Sequence, residues 1–401
     1  MPSVLIFYHY FYPDDVVSSV HLTELAVGMA ERGWQVTARP SNRSCRQDGL
    51  TFRSSDEHAG VHIRRVWRPP LKNSTTKGRF ANCLWMLGAW SMDAVTRKAD
   101  LVIAGTDPVL SVVTAIPWSL FRRKTVYAHW CFDLYPEAAV ADGMLRPGPF
   151  LSFLNGLVGA AYRRTDLLMD IGSCMRDRLL AHGKPRHSFT LYPWALEEPE
   201  APLATDLEER QMLFGDRRLA IMYSGNFGRA HSYQEMIAVA RLLREVDVQF
   251  AISIRGNSAD EFRGAVAAED TNISFVPFAP AEGLTARLSA ADIQIVSLRP
   301  EWTGTVVPSK FFGALAAGRP VLFFGGEGSV VARLIREHNL GWVCPPGAET
   351  RVAGELAQLA ENPGAIKEYE ARCHRVYQQH FSRKVMLDQL DRELREQLQS
   401  K

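Results

Sequence analysis

The sequence predicts an α/β protein made of two doubly wound domains, each with a parallel sheet. Apolar runs of strand length alternate with amphipathic helical stretches from the first residues onward. The alternation lapses around residues 195–217 and then restarts. The 401 residues also fit two domains better than one, since a domain usually holds about 100–200 residues. Alternating strands and helices imply parallel sheets covered on both faces. The expected division is residues 1–198, residues 199–380, and a terminal helix over 381–401.

The first element, "SVLIFYHYFYP", reads as a buried strand. In "SSVHLTELAVGMAERG", Leu22, Leu25, Ala26 and Met29 share one helical face and Gly33 ends the helix. "QVTARP" and "VHIRRVW" read as strands, and "LVIAGTD" and "TVYAHWCFD" as a further pair separated by a helical pattern. "LLMDIGS" then precedes the helix "CMRDRLLAHG". The acidic stretch "ALEEPEAPLATDLEERQ", with two prolines, reads as a linker. Beyond it the strands are "LAIMYSG", "QFAISIRG", "ISFVPF", "IQIVSL", "PVLFFGG" and "GWVCPPG". The tail is helical, with a break near Phe381 and Ser382. Two such domains leave a cleft between the carboxyl ends of two sheets, where folds of this kind bind ligands.

Composition narrows the function. A hydrophobic fraction of 46% suits a globular core, and a net charge of +2 indicates no polyanionic partner, so nucleic acid is not expected. The six cysteines are scattered without a Cys-x-x-Cys pair, which argues against a zinc site or a disulfide framework and suits the cytoplasm. No basic region precedes the first apolar run, and no stretch approaches the roughly 18 apolar residues of a spanning helix.

The second half carries the clearest chemical candidates. "TGTVVPSKFFGALAAGRPV" places Ser309 as a helix cap and Lys310 in the first helical turn. A cation is unfavourable there unless an anion docks on the helix start. "YSGNFGRAHS" follows a strand, so Ser224, Gly225, Asn226 and Gly228 stand where backbone can approach a ligand, and Arg229 can grip a phosphate. A glycine turn with a surface arginine is the plainer reading of the same residues. Gly256 ends the next strand, and Phe278 the one after it. Thr303, Gly304, Thr305 and Val306 follow the fourth strand. Several such loops from one half, with two cations, describe a pocket for a base, a ribose and a diphosphate. The Gly-x-Gly-x-x-Gly fingerprint and the P-loop are absent, which speaks against hydride transfer and ATP hydrolysis.

In the first half, His129 and Asp133 lie at a strand end. His129 reads as a core histidine or a sugar contact; Asp133 reads as a turn cap or a carboxylate gripping a sugar hydroxyl. Asp15 and Ser18 precede the first helix, where they read as acceptor or sugar contacts or, as such residues usually are, as helix caps.

Four segments together resemble the GT-B glycosyltransferases of the family 4 type, near the bacterial surface-polysaccharide and fucosaminyltransferase-like group. They are "FYPDDVVSSVHLTELAVGMAERGWQVT", "HWCFDLYPEAAVADGML", "MYSGNFGRAHSYQEM" and "ADIQIVSLRPEWTGTVVPSKFFGALAAGRPVLFFG". The resemblance implies transfer of a sugar from a nucleotide diphosphate, UDP favoured, to a saccharide or lipid-linked acceptor, with retention and without a metal or other cofactor. It implies that Arg229 and Lys310 stabilise the leaving diphosphate and that Asp133 meets the transferred sugar or acceptor. It also implies that the last helix crosses back to the first domain. The family's two glutamates would fall at Thr305 and Gly313, so the donor pocket departs from the family pattern. A sugar-nucleotide epimerase, and a catalytically inert partner of a true transferase, are the rival readings.

Residues 64–98 mix Arg64, Arg68, Lys72, Lys77 and Arg79 with Trp67, Phe80, Trp85 and Trp90, and residues 118–124 add Arg122, Arg123 and Lys124. Basic side chains beside tryptophan suit either peripheral contact with the inner face of a membrane or an ordinary amphipathic helix with solvated ends.

Overall fold

The computed structural model describes residues 1–14, 16–73, 75–278 and 283–401, and the chain forms two compact units. Unit 1 comprises Met1–Leu196, Gly304–Val306 and Lys384–Lys401; unit 2 comprises Glu197–Thr303 and Val307–Arg383.

Unit 1 is built on eight strands: β1 Ser3–Phe7, β2 Gln35–Ala38, β3 Ser55–His58, β4 Val61–Arg64, β5 Leu101–Gly105, β6 Val126–Trp130, β7 Leu167–Asp170 and β8 His187–Thr190. Their order is β3-β4-β2-β1-β5-β6-β7-β8, and every pairing is parallel except β3 with β4. The central strands β5, β6 and β7 are buried at every residue, which accounts for their unbroken apolar runs. Helices cover the sheet. The helix Thr76–Thr96 buries Met86, Trp90 and Ala94 against Phe7, with Phe7 and Trp90 stacked at 5.2 Å. The indole of Trp90 donates to the Arg39 carbonyl (2.9 Å), and that of Trp118 to the Trp90 carbonyl (3.2 Å). Such pairing is what buried indoles require. The last helix, Arg383–Ser400, joins the unit through Leu387 against Gly28, through Asp388 with Arg32 (2.6 Å), and through Asp391, which accepts from the Trp34 indole (2.6 Å).

Unit 2 holds six parallel strands in the order β11-β10-β9-β12-β13-β14. They are β9 Leu219–Asn226, β10 Val248–Arg255, β11 Ile273–Phe275, β12 Ile293–Leu298, β13 Val321–Gly325 and β14 Gly341–Cys344. In this order the chain runs outward from β9 to one edge and then from β12 to the other. The crevice at that reversal lies beyond the carboxyl ends of β9 and β12. The core on one face joins Ile221, Tyr223, Phe250, Ile252, Phe262, Leu322 and Phe324.

Three expectations need correction. The acidic stretch read as a linker contains the helix Leu207–Phe214, because Asp206 caps it by accepting from the Glu209 amide (2.9 Å) and Glu208 and Glu209 favour its first turn. Ser309 precedes the helix Lys310–Ala316 in helical conformation, and its hydroxyl makes no capping bond. Ser18 lies inside the helix Val17–Glu31, whose cap position is Val16. Asp15 falls outside the described residues.

Candidate functional site

In unit 2 the candidate groups collect where β9 ends. Lys310 begins its helix with its side chain folded back over Tyr223, the ammonium 3.9 Å from the ring centroid. The ammonium donates to the Tyr223 hydroxyl (2.6 Å) and to the Asn226 carbonyl (3.2 Å), and the Tyr223 hydroxyl donates to the same carbonyl (3.1 Å). No carboxylate is among these partners. Poor hydration of the ammonium pulls the Lys310 pKa down to about 7. An anion placed here would reverse that shift, since opposite charge favours the protonated amine.

Two glycines make this arrangement possible for reasons other than close approach to a ligand. Gly225 has φ +136, and a Cβ there would sit 2.5 Å from the Lys310 Cε, so its missing side chain is the channel for the lysine stem. Gly256, with φ +123, would place a Cβ 2.7 Å from the Asn226 Oδ1 and 2.8 Å from the Phe227 carbonyl. It lets the loop after β9 lie on the end of β10, where the Phe227 amide donates to the Arg255 carbonyl (2.7 Å). Ser224 is half-buried near the end of β9, opposite Ser253. A Cβ at Gly228 would meet only the Asn226 Nδ2, at 3.8 Å, and Arg229 is exposed on the same loop. Phe278 lies beyond the end of β11 with the Arg255 guanidinium 4.2 Å above its ring.

Sequence reasoning missed Tyr223 and His231. His231 donates from Nδ1 to the Ser297 carbonyl (2.7 Å), which leaves Nε2 as its acceptor nitrogen. Burial, with Lys310 and Arg299 nearby, pushes its pKa down to about 4. Arg299 donates to the His231 carbonyl (2.9 Å), and the Ser232 amide to the Ser297 hydroxyl (2.8 Å). The loop is thus latched to the end of β12. The available signal was "RAHS" immediately after the glycine turn.

Unit 1 gathers a second set beyond β1, β5 and β6. Thr106 accepts from the Phe132 amide (2.7 Å), which ties the end of β5 to the end of β6. Asp133 reaches solvent yet is crowded by protein. Poor hydration, with Asp107 nearby, pushes its carboxyl up to about 6. Asp107 also helps to raise the hydroxyls of Tyr8, Tyr10 and Tyr135 and the thiols of Cys45 and Cys83. His9 Nδ1 lies 3.4 Å from its carboxylate. The result is a cluster of protonated hydroxyls around an acid, with Tyr8 and Tyr10 buried and Tyr135 half-buried. Asp107 was missed because "GTDP" reads as an ordinary turn.

Four sequence candidates are placed differently from their expected roles, and His129 takes the plainer of its two readings. His129 is a core histidine in β6, paired with Ala104 and Leu168, and burial pushes its pKa down to about 4. Ser18 bonds Tyr8. Gly304, Thr305 and Val306 group with unit 1 rather than with Lys310: the buried Thr305 accepts from the Leu134 amide (2.8 Å), and Val306 bridges to Asp133. Thr303 stays in unit 2, its amide donating to the Pro300 carbonyl (3.1 Å).

Two family models match this chain in sequence order. Residues 18–194 match a glycosyl transferase 4-like domain, and residues 218–362 match glycosyl transferases group 1. The chain is a GT-B glycosyltransferase. This glycosyltransferase is 24% identical over 274 residues to the probable glycosyltransferase WbjE of Pseudomonas aeruginosa, spanning 66% of this chain and 67% of that one. It is 24% identical over 216 residues to a putative colanic acid biosynthesis glycosyl transferase, WcaI, of Escherichia coli K12, spanning 52% of this chain and 53% of that one. Among solved structures, Anabaena HepE in complex with UDP and glucose shares the fold, with a TM-score of 0.65 and 13% identity over 99% of this chain and 100% of that one.

Proposed function

We propose that this glycosyltransferase moves a sugar from UDP to a saccharide or lipid-linked acceptor in the assembly of a cell-surface polysaccharide, with retention at the anomeric carbon and without a metal ion. The observation that carries the reading is Lys310, an ammonium held by a hydroxyl and a carbonyl at the end of β9, neither of which is a carboxylate. The UDP bound to HepE and the colanic acid role named for WcaI support the nucleotide and the product class.

In this reading the bond between the anomeric carbon and the β-phosphate oxygen breaks as the acceptor oxygen bonds to the same carbon. The acceptor's proton passes to the departing phosphate oxygen. Negative charge grows on the diphosphate as the carbon becomes cation-like. Lys310 and Arg229 stabilise that charge, and fixed cations in a water-poor site contribute far more than they do in bulk water. His231 Nε2 accepts from a sugar hydroxyl. Asp133, with the cluster around Asp107, receives acceptor hydroxyls. The direct test is titration calorimetry with a panel of nucleoside diphosphates. UDP is expected to bind most tightly. Binding by none of them overturns the reading, and tighter binding by another diphosphate overturns the choice of UDP.

A further inference from the structure

Sequence reading singled out residues 64–98 and 118–124 as basic and aromatic. The structure adds a third element. The helices Thr76–Thr96 and Ala115–Phe121 pack on one another, and both Ala115–Phe121 and the short turn Ser111–Thr114 pack on the helix Pro149–Tyr162. Their inward residues, among them Trp90, Trp118 and Tyr162, are buried. Their outward residues are apolar and bare: Phe80 and Trp85 on the first, Leu120 and Phe121 on the second, Phe150 and Phe153 on the third. Phe80, Phe150 and Phe153 are each more than 60% exposed, unusual for phenylalanine, and they come from two of the three helices.

The exposed charges on and beside these helices are predominantly basic. Lys77, Arg79, Arg123, Lys124, Arg146 and Arg163 are exposed around it. The three helices contain a single acid, Asp93, which is buried and held by Arg39 (2.7 Å) and Arg97 (2.9 Å). Residues 143–165 contain none. A second copy docking through this same face would set cations against cations. An anionic lipid surface satisfies both the apolar centre and the basic rim. Among the described residues no helix is long and apolar enough to cross a membrane. Contact would therefore be from one side.

We infer that the outward face of these three helices is a peripheral docking surface for an anionic phospholipid bilayer, and that the start of the helix Pro149–Tyr162, bearing Phe150 and Phe153, enters the interface. Helices Thr76–Thr96 and Pro149–Tyr162 each run from the carboxyl side of the sheet back toward its amino side. Phe80, Phe150 and Phe153 therefore lie toward the edge that carries Asp133. The inference depends on surface chemistry and not on the proposed reaction.

The test uses the full chain with vesicles of phosphatidylglycerol and phosphatidylcholine, compared with phosphatidylcholine alone. Co-sedimentation is expected with the anionic vesicles and should weaken as salt rises. Brominated lipid should quench the exposed tryptophans Trp67 and Trp85. The F150S/F153S variant should lose at least about tenfold in partitioning. Leu242→Ser, on an exposed apolar residue of unit 2, should lose none. Equal binding to both vesicle types, no quenching, or undiminished binding by F150S/F153S overturns the inference. So does a dimer in sedimentation velocity that the same variant dissolves, because the face would then belong to a second copy.

Discussion

The two polar clusters treat their charged groups in mirrored ways. In unit 2 an ammonium is pulled down to about 7, and in unit 1 a carboxyl is pushed up to about 6. The causes differ. Lys310 lies along a channel left by Gly225, against a hydroxyl and a carbonyl, and its shift comes from poor hydration alone. Asp133 is shifted by poor hydration and by the like charge of Asp107. The first arrangement leaves a cation whose protonation responds to an incoming anion. The second sets the acid's titration from within the protein, before any ligand arrives.

The comparison can be broken or sharpened by substitution. The largest effect is expected from Lys310→Met, which should lower kcat by about 100- to 1,000-fold, the usual loss when one preorganised charge-stabilising group is removed. Unchanged turnover in steady-state assays would remove Lys310 from the reaction. Gly225→Ala comes next. It adds a Cβ 2.5 Å from the lysine stem at a φ of +136, so it displaces the ammonium and strains the backbone. Stability should fall by about 1–3 kcal/mol in denaturant titration, and the affinity for UDP should fall with it. Gly228→Ala, whose Cβ would make only an ordinary contact with the Asn226 Nδ2 at 3.8 Å, should do neither.

The smallest effect belongs to unit 1. Asp107→Asn removes a negative neighbour, so the Asp133 carboxyl should ionise at lower pH than about 6. If activity needs that carboxylate, the acid limb of the kcat/KM profile moves down by up to about one pH unit. An unmoved or upward-moving limb would show that Asp107 does not act on the titrating group.

Much of this was legible in the sequence because buried parallel strands announce themselves. "LVIAG", "VYAHW" and "IQIVSL" are apolar at nearly every position, and the loops after them were found by counting from those runs. Lys310 stood out because a cation in a first helical turn calls for a reason. Other features gave no such signal. The edge strand "SDEH" of β3 is mostly exposed, so it lacks an apolar face to read. The helix Leu207–Phe214 was hidden by the prolines and acids before it. Gly225 and Gly256 were noticed as glycines, but only the structure shows that a lysine stem and a neighbouring loop occupy the space. Asp107 was missed because its importance lies in what surrounds it, namely groups drawn from the segment after β1, the loop at Cys45, the helix at Cys83 and the segment after β6.

Proton linkage tests the pairing of Lys310 with a diphosphate most directly. UDP binding is measured calorimetrically at pH 8 in two buffers of different ionisation heat. An amine titrating near 7 is mostly neutral at that pH, and a diphosphate beside it raises its pKa, so binding should take up close to one proton. Lys310→Met should take up none. UDP binding without proton uptake by the wild-type protein, or the same uptake by the Lys310→Met protein, would contradict the assignment.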